Sequence, residues 1–136
     1  ALRQAGLQRV RYTSTKPPRA WLGTPADGPF DLLALQAPTV LFSGSARDAA
    51  RLYPRNANLA AAVALAGLGF EQTQVELVAD PAASGNSGQI DAEGPASRLQ
   101  VLVAGASAAG NPKTSGIVAH SVLACLANQA SPIGFG

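Results

Sequence analysis

The sequence predicts an α+β domain with a mixed, largely antiparallel sheet and helices on one face. Segments 8–15 and 73–79 alternate polar and apolar residues and are rich in β-formers, which predicts strands. Segment 58–68 is almost wholly apolar and Ala-rich, which predicts a buried helix. Because strands and helices do not alternate strictly along the chain, a segregated α+β arrangement is favoured over a parallel α/β fold.

The first half of the chain contains two predicted strands and two predicted helices. The strand at 8–15 is stopped by Pro17 and Pro18, since proline cannot donate to a central ladder. Residues 19–38 form a long excursion with a short helical piece near 31–35, and a short strand follows at 39–42. Ser45 and Asp48 resemble a capped helix start, and this helix should end before Pro54.

The second half should contain three strands and a final helix. The helix at 58–68 is closed by Gly67 or Gly69, and the strand at 73–79 is followed by a loop over 80–88. Strands are predicted at 89–93 and 98–104, around a turn at 94–95. Asn111 and Pro112 are typical of a helix start, so a last helix is predicted to about residue 128, with a loose tail over 129–136.

Composition excludes several classes of function. The 136 residues suit one domain, and only 13% are charged, against about 25% in a typical soluble domain. Either a partner domain or subunit covers part of this surface, or an Ala- and Gly-rich surface is simply poor in charge. A net charge of +2 is too small for nucleic-acid binding. A single cysteine permits no internal disulfide, and neither a membrane span nor a signal region is present, which predicts a cytoplasmic protein. The absence of methionine suggests a fragment of a longer protein.

Two asparagines, Asn56 and Asn58, precede the apolar helix and form the first candidate site. An asparagine at a helix start usually caps it through the side-chain oxygen. One of the two can do this, and the other keeps a donor and an acceptor at the positive end of the helix dipole. This setting suits a polar or anionic ligand. The alternative is that both are merely capping and turn residues.

A second candidate site combines Lys113, Thr114 and Ser115 with Lys16. The first three fall in the first turn of the predicted last helix, where free N–H groups and a lysine can hold a carboxylate. Lys16 stands before two prolines and would be a second carboxylate contact. The alternatives are ordinary helix-start hydrogen bonding for the first group and a surface lysine at a strand end for Lys16.

Other motifs do not support chemistry. The glycines at 105 and 110 follow a strand, but Ser107 stands where a dinucleotide-binding turn needs its middle glycine. Ser87 lies in a Gly-Asn-Ser-Gly segment without a histidine base nearby. The one histidine, His120, has no neighbouring ligand, so no metal site is predicted, and Cys125 belongs to an apolar segment.

Five blocks of the sequence, in this order and spacing, resemble the catalytic, C-terminal half of the aspartate dehydrogenase family. They are Thr13-Ser-Thr-Lys-Pro-Pro18, Gly44-Ser-Ala-Arg-Asp-Ala-Ala50, Tyr53-Pro-Arg-Asn-Ala-Asn58 with the apolar residues that follow, Val78-Ala-Asp-Pro-Ala-Ala83 followed by Asn86, and Asn111-Pro-Lys-Thr-Ser115. The resemblance covers residues 6–128 and implies a fold like the C-terminal domain of glyceraldehyde-3-phosphate-dehydrogenase-like enzymes.

The resemblance implies oxidation of L-aspartate with NAD or NADP to iminoaspartate, which water converts to oxaloacetate and ammonia. The family's N-terminal dinucleotide-binding domain is absent from this chain, and the open face of the sheet would form a homodimer. Asn58 matches the family's nicotinamide contact, a role that suits a carboxamide. Asn56 would shape the turn beside it, and the substrate, a dicarboxylate amino acid, would contact Asn86 and the second candidate site.

The chain departs from the family pattern at its catalytic histidine, because Gly88 occupies that position. Glycine cannot transfer protons, and general acid–base catalysis contributes about 10²–10⁴-fold. Ser87 is a weak substitute. The resemblance therefore leaves two hypotheses, an altered dehydrogenase half or a non-catalytic dicarboxylate-binding or assembly domain.

Overall fold

The computed structural model describes residues 6–105, 107–108 and 111–115. Its centre is a five-stranded mixed sheet, in the spatial order β2-β3-β1-β4-β5. The strands are β1 Arg9–Lys16, β2 Thr39–Ser45, β3 Thr73–Ala79, β4 Asn86–Glu93 and β5 Arg98–Gly105. Strands β1 and β3 are parallel, and the other three neighbouring pairs are antiparallel. With two α-helices, α1 Ala46–Leu52 and α2 Asn58–Ala66, this arrangement confirms the α+β prediction.

Alternating burial in β1 shows which side of the sheet carries the helices. Val10, Tyr12, Ser14 and Lys16 are buried, whereas the residues between them are exposed or half-buried. Val10 and Tyr12 belong to the same hydrophobic core as Ala46 and Ala49 of α1 and the buried residues of α2. Since side chains alternate across a strand, β1 turns these four residues toward the helices.

The opposite face of the sheet is polar. It carries exposed ion pairs, which are Arg9 with Glu93, Arg11 with Glu76, and Arg98 with both Asp91 and Glu93. Ion pairs as exposed as these contribute little to stability, typically about 0–1 kcal/mol each.

Helix α1 begins as predicted. The Ser45 side chain accepts a hydrogen bond from the Asp48 backbone N–H at 3.1 Å, and its hydroxyl donates to the Asp48 carboxylate at 2.9 Å. The helix ends at Leu52, two residues before Pro54. A 3₁₀ turn at Leu32–Ala34 confirms the short helical piece in the excursion, and a second turn at Pro18–Trp21 follows β1 directly.

Helix α2 is less buried than predicted. Ala60, Val63 and Ala64 pack into the core, but Leu59 is 46% exposed and Leu65 is 69% exposed. A uniformly apolar helix shows no polar face, so its sequence does not reveal which side meets the sheet. The small alanines allow the close approach, and the leucines remain outside. The residue at the N-cap is Ala57 without a side-chain hydrogen bond, so the expected asparagine cap is wrong.

One strand boundary also differs from the prediction. Strand β4 starts at Asn86 and not at 89, which places the expected loop residues Asn86, Ser87 and Gly88 on a strand. Gly88 has no side chain and so leaves room for the neighbouring Tyr12 side chain on this strand face. The turn between β4 and β5 is confirmed, with the Gly94 N–H donating to the Ser97 carbonyl at 2.9 Å.

The predicted start of the last helix is wrong. Strand β6 Ser107–Ala108 pairs in antiparallel fashion with β7 Asn111–Ser115. A residue before proline favours extended backbone, which explains the strand conformation of Asn111. Pro112 is tolerated because the register shifts there, with Ala108 opposite Asn111 and Ser107 opposite Ser115. The rest of that predicted helix, with His120 and Cys125, and the tail over 129–136 lie outside the described residues. Within the described part, no helix is long and apolar enough to cross a membrane.

Candidate functional site

The start of α2 lies directly over position 88 of the sheet. Gly88 is buried on β4, opposite Ser14 of β1 and Val103 of β5. A Cβ atom at Gly88 would stand 3.4 Å from Cδ2 of Leu59, in the first turn of α2. The fold therefore brings Leu59, the neighbour of Asn58 in the first turn of α2, next to Gly88, although the two lie far apart in the sequence.

The two asparagines before the helix have different surroundings. Asn58 is exposed, so its amide is open to a ligand. Asn56 is only 8% exposed, and its backbone N–H donates to the Tyr53 carbonyl at 2.9 Å. The Nδ2 atom of Asn56 has no hydrogen-bond partner in the described part of the chain. Asn56 thus lies inside the turn that presents Asn58.

Asn86 is a buried amide at the same end of the sheet. Its side chain is buried, and neither its oxygen nor its nitrogen has a partner among the residues described. Thr15 pairs with Ser87, so one step further along the register places Asn86 opposite Lys16. A buried polar group without a partner costs about 1–3 kcal/mol, which makes Asn86 a candidate for binding a polar ligand.

Lys16 is buried and not a surface residue. It is 8% exposed, and its Nζ atom lies 5.6 Å from the centroid of the Trp21 ring. Burial lowers the pKa of the Lys16 ammonium below its ordinary value. Trp21 is fully buried, and its indole N–H donates to the Val78 carbonyl at 3.2 Å. The alternative of a surface lysine at a strand end is therefore wrong.

The remaining residues of the expected substrate site are on a strand that reaches the same end of the sheet. Strand β7, which contains Lys113, Thr114 and Ser115, lies beside the turn Pro18–Trp21 that follows Lys16. Because these residues are on a strand, an anion site built on helix N–H groups is excluded. The side chains of Lys113, Thr114 and Ser115 lie outside the described part of the structure.

Sequence reasoning missed Tyr12 and Ser14. The Tyr12 hydroxyl lies 2.9 Å from the place where a Cβ atom of residue 88 would stand. Burial raises the pKa of Tyr12, and a hydrogen bond with the Ser14 side chain lowers it by less. The alternation of β1 places both residues on one face. Only the pairing with β4 shows that this face meets Gly88, and the sequence contains no signal for that register.

A cleft of about 510 Å³ opens at the start of β4, and Asn86 is among the residues that line it. Thr15, Ser87 and Ala104 line it and are paired across β1, β4 and β5. By alternation they point away from α2, so Ser87 cannot replace a side chain at position 88. Among the described residues, no group of three or more His, Cys, Asp or Glu is placed to bind a metal.

The fold defines an α+β domain with a mixed sheet, and known proteins share it. The crystal structure of aspartate dehydrogenase from Thermotoga maritima matches it with a TM-score of 0.70 and 30% identity, over 96% of this chain and 48% of that one. The family model "Aspartate dehydrogenase, C-terminal" matches residues 1–129, and the chain belongs to that family.

Curated relatives agree with this assignment. The L-aspartate dehydrogenases of Ralstonia pickettii and Pseudomonas aeruginosa are 49% identical over 133 residues, and that of Cupriavidus taiwanensis is 50% identical. Each match covers 98% of this chain and 50% of the relative. The chain thus spans about half the length of the curated relatives it matches.

Proposed function

We propose that this chain is the catalytic, dimer-forming half of an NAD(P)-dependent oxidoreductase that acts on L-aspartate. One observation carries the proposal, namely the position of the α2 start over Gly88. In the family pattern, these two places contact the nicotinamide and transfer the proton. Their convergence on one point of the sheet is what a hydride-transfer site requires, because cofactor and substrate must meet there.

The residues present fit a nicotinamide cofactor. The exposed amide of Asn58 can both donate to and accept from the carboxamide of the ring. Asn56, whose backbone N–H donates to the Tyr53 carbonyl, would shape the turn before Asn58. When bound, NAD or NADP accepts the hydride from the substrate. The remainder of the cofactor would be held by an N-terminal dinucleotide-binding domain, the partner that the family pattern implies.

The end of the sheet fits a dicarboxylate substrate. The Lys16 ammonium supplies positive charge, and the unpaired Asn86 amide can donate to a carboxylate oxygen. A bound carboxylate would give the Asn86 amide its missing partner. Lys113, Thr114 and Ser115 follow on β7 beside the Pro18–Trp21 turn, where their side chains would complete the carboxylate contacts.

A second candidate function rests on Gly88 itself. Without an imidazole at that position, the same cofactor and substrate contacts would serve binding alone, in a non-catalytic dicarboxylate-binding or assembly domain. In either case the homodimer would form through the polar face of the sheet, which the helices leave open.

A chimera that joins this chain behind the first half of the Pseudomonas aeruginosa relative should bind NADH saturably. We expect Asn58→Ala to weaken that binding about tenfold. Asn58→Ala removes up to two hydrogen bonds, each worth about 0.5–1.5 kcal/mol, and tenfold corresponds to about 1.4 kcal/mol. The dissociation constant is measured by NADH fluorescence.

Leu65→Ala is the matched control, because Leu65 is an exposed residue of the same helix, two turns from Asn58. It should leave the dissociation constant unchanged. Equal NADH affinity in the wild type and in Asn58→Ala would contradict the cofactor contact, and the absence of any saturable binding would contradict the proposed function.

A further inference from the structure

The Tyr12 side chain occupies the space that a side chain at position 88 would need. A Cβ atom there would lie 2.9 Å from the Tyr12 hydroxyl oxygen and 3.0 Å from Cε2 of the same ring. Real Cβ atoms do not approach other atoms so closely. Residues larger than glycine therefore cannot occupy position 88 while Tyr12 stays in place.

We infer that the Tyr12 hydroxyl is the proton-transfer group of this chain and replaces the imidazole that the family pattern places at position 88. The inference rests on the proposed function and adds the residue that performs the chemistry. Ser14, which hydrogen bonds to Tyr12 from two residues further along β1, is a positioning residue.

The neighbouring groups favour Tyr12 over other donors. Ser87 lies on the opposite face of the sheet, and an aliphatic hydroxyl such as that of Ser14 is a far weaker acid than a phenol. Phenols ionise near pH 10 and serve as general acids in enzymes. Burial raises the pKa of Tyr12 further, so it carries its proton near neutral pH. From β3 and β4, the uncharged Val75 and Ile90 are paired with Tyr12.

The step assigned to Tyr12 is the release of ammonia from the carbinolamine that forms when water adds to iminoaspartate. The bond between Cα and nitrogen breaks, and its electron pair leaves on nitrogen, which takes the proton of the Tyr12 hydroxyl. The carbinolamine O–H bond breaks, and its electron pair forms the carbonyl of oxaloacetate. That proton returns to the Tyr12 oxygen, so the phenol is regenerated and no net redox change occurs.

The Leu59 side chain lies beside this point at the start of α2. Cδ2 of Leu59 stands 3.4 Å from the place of the absent Cβ, and Leu59 is 46% exposed. Leu59 is also the direct neighbour of Asn58. Because Tyr12 itself is only 3% exposed, the proposal requires the substrate to reach its hydroxyl past Leu59.

Tyr12→Phe tests the inference, because it keeps the ring and removes only the hydroxyl. In the chimera, with NADH, oxaloacetate and ammonium, kcat should fall by about 10²-fold or more while KM for NADH stays unchanged. Tyr53→Phe, at the only other tyrosine, is the control and should change kcat by less than about twofold. The melting temperatures of both variants show whether they fold.

A second measurement shows whether the substrate contacts Tyr12, and it does not depend on turnover. With ¹³Cζ-labelled tyrosine this chain contributes two tyrosine resonances to the spectrum of the chimera, and Tyr12→Phe and Tyr53→Phe identify them. Saturating oxaloacetate should shift the Tyr12 resonance and leave Tyr53 in place. Wild-type kcat in Tyr12→Phe, or an unmoved Tyr12 resonance, overturns the role of Tyr12 while the proposed function stands. A wild-type chimera without turnover overturns both, and the Tyr12 resonance then shows whether the ligand reaches the site at all.

Discussion

Trp21→Ala will lower the free energy of unfolding by about 3–5 kcal/mol, the cost of removing a large buried aromatic side chain. Trp21 is fully buried, meets Tyr53 edge to face with ring centroids 6.3 Å apart, and donates to the Val78 carbonyl. It also lies under the Lys16 ammonium. A domain of this size has about 5–15 kcal/mol of stability in total, so the loss would be a large fraction of it. Urea unfolding followed by far-UV circular dichroism measures the change.

Two further variants keep this prediction testable if Trp21→Ala does not fold. Trp21→Phe retains a ring but leaves the Val78 carbonyl without its donor, at a cost of about 1–3 kcal/mol. Leu65→Ala removes an exposed side chain and should stay within about 0.5 kcal/mol of the wild type. A Trp21→Ala midpoint equal to that of Leu65→Ala would show that Trp21 does not hold this end of the sheet together.

Gly88→Ala will destabilise the fold by about 1–3 kcal/mol, although it adds only one methyl group. The new Cβ would approach the Tyr12 hydroxyl to 2.9 Å in a buried position, and the ring lies under the first turn of α2. For the same reason, a histidine introduced at position 88 requires Tyr12 to move before it can act. Urea midpoints of the wild type and the variant provide the measurement.

A double-mutant cycle with Tyr12→Leu isolates the cause of this destabilisation. Leucine is shorter than tyrosine, so Gly88→Ala should cost less in that background, with a coupling of about 0.5–3 kcal/mol. Ser87→Ala, one residue earlier on the opposite face, should have little effect. If Gly88→Ala cost the same with tyrosine and with leucine at position 12, the Tyr12 contact would not be what keeps position 88 a glycine.

Much of the fold followed from local sequence patterns. Alternation predicted β1 and the first part of β3, where buried residues alternate with exposed or half-buried ones, and the Ser45–Asp48 cap predicted α1 because its hydrogen bonds are local. The composition of α2 predicted a helix but not its exposed leucines. The strand at Asn111 was missed because its pairing partner, and not its own sequence, determines the conformation.

The candidate site was only partly visible in the sequence. The positions of Asn58 and Gly88 came from the family resemblance, and their proximity depends on the packing of α2 against β4. Tyr12 looked like an ordinary β-former, since its relation to Gly88 arises from the register of β1 on β4. The sequence left open whether Lys16 lies at the surface, because it does not show that the Trp21 ring packs beside the Lys16 ammonium.

The most direct test of the proposed hydride transfer follows a deuterium atom. The chimera is supplied with NADH that carries deuterium at the transferable position, together with oxaloacetate and ammonium, and the aspartate formed is analysed by mass spectrometry. The proposed oxidoreductase predicts aspartate one mass unit heavier, with the deuterium on Cα. Saturable NADH binding without labelled aspartate would contradict it and would favour the non-catalytic binding domain.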